Sequence, residues 1–139
     1  LFITYDKDSV CSVWGEMKPI LQRCVEASQG MLKIENLEMM LAIGDAFAMA
    51  SVYDGQMKAV IVVRKIEYGG YNSARIIACA GEGLEHFMQY WDALEAWALR
   101  NDCQEVEGWC DPSMARLVQR FGFTTKKHIV TRNLRSKLQ

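Results

Sequence analysis

The sequence is poor in proline and histidine and has no long apolar run, and each shortage narrows the reading. Its 139 residues hold only two prolines, Pro19 and Pro112, and two histidines, His86 and His128. So little proline, beside a hydrophobic content of 50%, excludes a linker or a disordered segment. With so little histidine, and no Cys-x-x-Cys pair among Cys11, Cys24, Cys79, Cys103 and Cys110, no metal-site spacing is present. An odd number of cysteines fits a reducing, intracellular setting better than a disulfide framework. The longest unbroken aliphatic run, Ala59–Val63, falls far short of the roughly 20 residues of a membrane span. Leu1–Ser9 carries Asp6 and Asp8 and no basic-then-apolar pattern, so no secretory leader is expected. Internal repeats and low-complexity stretches are also missing, and the length suits one domain, residues 1–139.

Acidic residues are missing from the last quarter. The net charge is −1, yet the last acid is Asp111, and Arg116, Arg120, Lys126, Lys127, Arg132, Arg135 and Lys137 follow it. The first 111 residues therefore hold all 17 acids against 9 bases, the 16 of the chain less these seven. A basic end could meet phosphate or an acidic partner. No aromatic-and-glycine recognition motif accompanies it, so a nucleic-acid partner is not expected.

What is present is a regular alternation of element types. Leu1–Tyr5 alternates like a short strand. Asp8-Ser9 is a helix-start signal, and Val10, Val13, Met17, Leu21, Cys24 and Val25 recur behind it at helical spacing. Pro19 inside that pattern predicts a kink or a restart. A short helix is expected from about Ile34 to Ile43, closed by Gly44-Asp45. Ala46–Tyr53 and Gln56–Glu67 flank Asp54-Gly55, the pair that favours a two-residue hairpin turn. After a turn at Gly69-Gly70, Ala74–Ala80 reads as a strand buried on both faces. Gly81-Glu82-Gly83 leads into a helix with Leu84, Phe87, Trp91, Leu94 and Ala98 along one face and Trp97 on its flank. Glu105–Cys110 is a strand, and Asp111-Pro112-Ser113 opens a helix with proline in its first turn. Gly122 caps that helix, and Phe123–Leu134 is expected as a last strand or strand pair. The order β-α-α-β-β-β-α-β-α-β makes an α/β fold, a mixed sheet with helices on both faces.

This order, with Gly81-Glu82-Gly83 before a helix and Ala115–Phe123 (ARLVQRFGF) ending the next one in Gly-Phe, resembles the GNAT superfamily of acyl-CoA N-acyltransferases. The resemblance implies an acetyl-CoA-dependent N-acetyltransferase acting on an amine, with acetyl-CoA as donor and no metal. It implies that Gly81, Glu82, Gly83 and Leu84 form the turn that meets the pyrophosphate. There, backbone N–H groups at a helix N-terminus bind anions and glycines let the backbone approach. It places Ala78 and Cys79 on the strand that meets thioester and pantetheine, and Cys110 at the end of the neighbouring splayed strand. Tyr68 and Tyr71 are candidate proton donors and Glu67 a candidate base, provided that the loop after the hairpin folds over the cleft. A lone reactive thiol, at Cys79 or Cys110, is a further reading beside that of inert buried cysteines.

Several positions depart from the family pattern. Ala78 stands where arginine or glutamine is usual, Val118 occupies the slot of the acid tyrosine, Pro112 stands where an asparagine is common, and Glu82 brings a negative charge into the turn. They motivate an alternative: a non-catalytic GNAT-like interaction or structural protein, such as a phage virion or accessory component. In that reading the basic end and the methionine-rich stretch Met31–Met49 are contact surfaces for a protein partner or a second copy. The first reading places the protein in the cytoplasm, the second in the cytoplasm or a virion.

Overall fold

A computed structural model describes residues 2–82, 91–110 and 112–135. The chain divides into two compact units, Leu1–Trp109 and Cys110–Gln139.

The first unit is built on a five-stranded sheet in the order β1-β2-β3-β4-β5. Its strands are β1 (Phe2–Tyr5), β2 (Phe47–Tyr53), β3 (Gln56–Glu67), β4 (Asn72–Gly81) and β5 (Glu105–Gly108). The first four pair antiparallel, and β5 joins β4 in parallel. Asp54 and Gly55 both take positive φ, 52° and 73°, as the tight β2–β3 hairpin requires. The β-branched run of β3 makes it the central strand, with Val60, Val62 and Val63 fully buried.

Between β1 and β2 lie α1 (Val10–Ala27) and α2 (Ile34–Ile43). The Asp6 carboxylate starts α1, accepting hydrogen bonds at 3.0 Å from the backbone N–H of Asp8, the backbone N–H of Ser9 and the Ser9 hydroxyl. These bonds hold the Asp6 pKa below its usual range. Pro19 sits inside α1 without ending it. Its ring forfeits one backbone bond, to Gly15, but Met17 and Leu21 on either side are fully buried and hold the helix against the sheet. Gly44, at φ 85°, ends α2 in the left-handed conformation.

The helices cover both faces. Met17, Ile20 and Leu21 of α1 and Leu37 and Leu41 of α2 pack on Ala48, Ala50, Val60, Val62 and Ala78. On the other face, Leu94, Trp97 and Ala98 of α3 (Trp91–Arg100) pack on Met49, Ile61, Val63 and Ala74. Trp97, expected on a flank, is buried, its ring 5.2 Å from that of Phe47. The apolar face of α3 is thus wider than the stripe from Trp91 to Ala98. Phe87, expected on the same stripe, lies outside the described residues, as does His86.

The second unit contains α4 (Pro112–Val118) and a short 3₁₀ turn, Gln119–Phe121, closed by Gly122 at φ 88°. The expected strand over Phe123–Leu134 is not formed; these residues are irregular. Their β-branched composition favours a strand, but a strand needs a neighbour to satisfy its backbone, and none among the described residues pairs with this segment.

Candidate active site

Strand β4 is longer than its parallel partner. The register runs Ser73↔Glu105, Ala74↔Val106, Arg75↔Glu107 and Ile76↔Gly108, and ends there. Beyond it β4 continues to Gly81, paired among the described residues with β3 alone. Pairing between the two parallel strands therefore stops there, at the closed end of a fork whose open arm, Ile77–Gly81, has no β5 partner among the described residues. A register shift between Val62 and Val63 of β3 marks an extra residue on β4 at this point. Ile77 and Ala78 consequently both pack with the α1–α2 core, while Cys79 packs on the opposite side.

A polar cluster occupies the closed end of the fork. The Tyr68 hydroxyl donates to Glu107 Oε1 at 2.6 Å and accepts from Arg75 Nη2 at 3.0 Å. Arg75 Nε donates to Glu107 Oε2 at 3.4 Å, completing a three-residue ring. The Arg75 guanidinium lies over the Trp109 ring, 4.3 Å from its centroid, and the Tyr71 ring lies 5.1 Å from that of Tyr68. Arg75 stands opposite Arg64 of β3, which alternates with Val60 and Val62, so the cluster lies on the α1–α2 side of the sheet.

The loop and the start of β4 are fixed as well. Tyr68 N–H donates to the Tyr71 carbonyl, the Asn72 amide donates to Asp102 O, and Gln104 N–H donates to Asn72 O. This network ties the β3–β4 turn to the entry of β5, so the cluster is built on anchored backbone.

The environment sets the charges. Burial pushes the Glu107 carboxyl up, but hydrogen bonds from Tyr68 and the Arg75 charge outweigh it and leave the pKa below the usual value. The hydrogen bond to Glu107 raises the Tyr68 phenol, which stays protonated. The carboxylate is therefore ionised and the phenol neutral at physiological pH.

The sequence-predicted residues fall in different places. Tyr68 belongs to the cluster and Tyr71 stacks on it. Glu67 is exposed at the end of β3, outside the hydrogen-bonded ring. Ala78 and Cys79 lie on the arm of β4 beyond its last β5 pair. Burial pushes the Cys79 thiol up to about 12, which keeps it protonated and a poor nucleophile. Cys110 is exposed and belongs to the second unit. Gly81 has φ 131°, and a Cβ there would stand 2.4 Å from both the Ala59 Cα and the Lys58 carbonyl oxygen. Its glycine is thus demanded by contact with β3. Glu82 donates its backbone N–H to Lys58 O and carries an exposed side chain. Gly83 and Leu84 lie outside the described residues.

Arg75, Glu107 and Trp109 were missed by reasoning from sequence. One signal was present, a lone arginine interrupting the apolar strand Ala74–Ala80, but its partner lies 32 residues away.

The fold of the chain is similar to that of known structures. The chain aligns over 96% of its length with a ribosomal-protein-alanine N-acetyltransferase from Brucella melitensis biovar Abortus 2308, covering 99% of that chain at TM-score 0.71 and 12% identity. The fold is that of the GNAT N-acetyltransferases. A predicted acetyltransferase from Clostridium acetobutylicum, solved with acetyl-CoA, aligns over 96% of both chains at TM-score 0.70 and 12% identity. An aminoglycoside acetyltransferase from an uncultured soil metagenomic sample, in complex with sisomicin, matches at TM-score 0.67 and 13% identity, over 96% of this chain and 93% of that one. No protein-family model matches the sequence, and no curated protein matches it. Among the described residues, no helix is long and apolar enough to cross a membrane, and no group of three metal-ligating side chains comes together.

Proposed function

We infer that this GNAT-fold chain, residues 1–139 acting as one domain, transfers an acetyl group from acetyl-CoA to an amine. The observation that carries the reading is the β4–β5 fork with a charged cluster at its closed end. The open arm Ile77–Gly81 presents strand backbone without a β5 partner, and the amides of a pantetheine chain suit such an edge, as an added strand would. Ala78 and Cys79 line this arm, Gly81, Glu82, Gly83 and Leu84 follow it, and Cys110 follows the other arm. We assign all of them to the donor side.

Acetyl-CoA supplies an activated thioester. The amine nitrogen bonds to its carbonyl carbon, the C–S bond breaks, the nitrogen gives up a proton and the leaving thiolate takes one. At the closed end, Glu107 is the carboxylate best placed to receive the acceptor. Its low pKa makes it a feeble base near neutrality, so it acts by accepting an N–H from the amine and orienting it. Tyr68, held protonated in the same ring, is our assignment for the proton donor. Three of the neighbours are acetyltransferases by name, and one of them was solved with an aminoglycoside, which supports an amine acceptor. An odd number of cysteines with no Cys-x-x-Cys pair supports a cytoplasmic setting.

Calorimetric titration with acetyl-CoA tests the donor half, and mass spectrometry of an amine panel incubated with it tests the transfer. Saturable heat and a gain of one acetyl group on an amine are expected. No heat at about millimolar acetyl-CoA, corresponding to less than about 4 kcal/mol of binding, sinks the reading and leaves the non-catalytic one.

A further inference from the structure

The second unit carries apolar side chains that nothing within it covers. Val130 is 90% exposed, and Ile129 and Leu134 are 59% and 54% exposed. None of its described residues is buried. A unit of this size is too small to close a core of its own. The same segment is basic, with Arg132 and Arg135 among the seven bases that follow the last acid, Asp111.

Helix α2 presents the reverse combination. Leu37 and Leu41 are buried, which turns Met39 and Ile43 outward, and both are exposed. Glu35 and Glu38 are exposed beside them, Asp45 follows the helix, and no base lies within it. Next to this face, a cavity of about 130 Å³ opens between α1 and α2, lined by Val10, Cys11, Trp14, Glu38, Leu41 and Ala42. Its walls are mostly apolar and its carboxylate is Glu38. A cavity of about this size holds a group as large as benzene, and hence one aliphatic side chain.

We propose that the protein self-associates through these two surfaces: the segment Ile129–Arg135 of one copy docks on α2 and the α1–α2 cavity of a second copy. In an extended chain Val130, Arg132 and Leu134 fall on one side. That apolar-basic-apolar row matches an apolar face that carries carboxylates. The charge of the whole chain selects a second copy as the occupant, because residues 1–111 hold 17 acids against 9 bases and the docking segment holds bases alone. Reciprocal docking makes two identical contacts about a two-fold axis, and such a dimer is closed.

Sedimentation velocity on the full chain tests this. A dimer is expected at about 100 µM chain, with a dissociation constant at least about tenfold weaker when salt rises from about 50 to about 500 mM. Glu35→Lys with Glu38→Lys gives a monomer, as does Arg132→Glu with Arg135→Glu, and combining all four restores the dimer. Val130→Asp gives a monomer at either salt. A monomeric wild type overturns the proposal, whether the segment then docks on its own chain or on a foreign protein. So does a dimer indifferent to salt and to these changes. If the α2 variant loses its circular dichroism, the Arg132/Arg135 variant decides alone, since it alters exposed side chains in a segment without a core.

Discussion

Arg75 and Glu107 stand opposite each other in the parallel β4–β5 pair, one step before the strands part, and Tyr68 bridges them. Each carboxylate oxygen of Glu107 has a donor, and both charged side chains are about four-fifths covered, at 21% and 17% exposure. Removing one partner leaves the other covered and uncompensated, whereas removing both is far milder. Glu107→Ala should lower stability by about 1 kcal/mol in urea titrations, and Arg75→Met with Glu107→Leu should be nearer neutral. Acetyl transfer should fall by about tenfold or more in both.

The same ring gives stability an acid limb. The Glu107 carboxyl titrates below its ordinary 4.5 in the folded state. Its contribution is present above that value and is lost as pH falls through the folded pKa. A urea midpoint that declines on acidification, less steeply in Glu107→Gln, is the expected result.

Cys79 sets an alkaline limb. Its thiol titrates near 12 folded against 9.0 in the open chain. The stabilisation is complete below pH 9.0 and is lost as pH rises towards about 12, at about 1.4 kcal/mol per unit within that interval. Cys79→Ala should flatten that slope. In thiol alkylation followed by peptide mapping, the exposed Cys11 and Cys110 should react well before Cys79.

Gly81 and Gly70 should behave as opposites. A methyl group at Gly81 meets β3 backbone at 2.4 Å, while at Gly70 it meets nothing within 4 Å. Gly81→Ala should cost more than about 2 kcal/mol in chemical denaturation, and Gly70→Ala should change stability by less than about 0.5 kcal/mol.

Trp97 fills the space between α3 and the sheet and is 5% exposed against Phe47. Trp97→Ala should cost about 3–5 kcal/mol, read from thermal and urea melts.

Local chemistry made most of the fold legible. Gln56–Glu67 and Ile34–Ile43 fall where a hairpin turn, a β-branched run and a closing glycine put them. Those signals act within a few residues. The terminal segment misled because strand propensity describes a surface that suits a sheet, and the described residues of its own unit form no strand. Trp97 misled because one helical stripe was read where two adjacent ones are buried. The cluster was half legible: Tyr68 and Tyr71 stood out in a loop, but Glu107 gains its role from a register between strands 32 residues apart.

The extra residue of β4 has a consequence for how this strand can vary. Alternation would put Arg75 and Cys79, four apart, on one side, yet they face opposite layers. The strand thus runs in two phases, one setting the charged cluster and the other the open arm, joined at Ile77. Deleting that residue would leave Arg75 and Cys79 three apart, which regular alternation places on opposite sides, so the ladder would straighten without turning either group. Substitutions on either half can accumulate independently, and a residue lost from either half has to be absorbed at the joint or that half turns over.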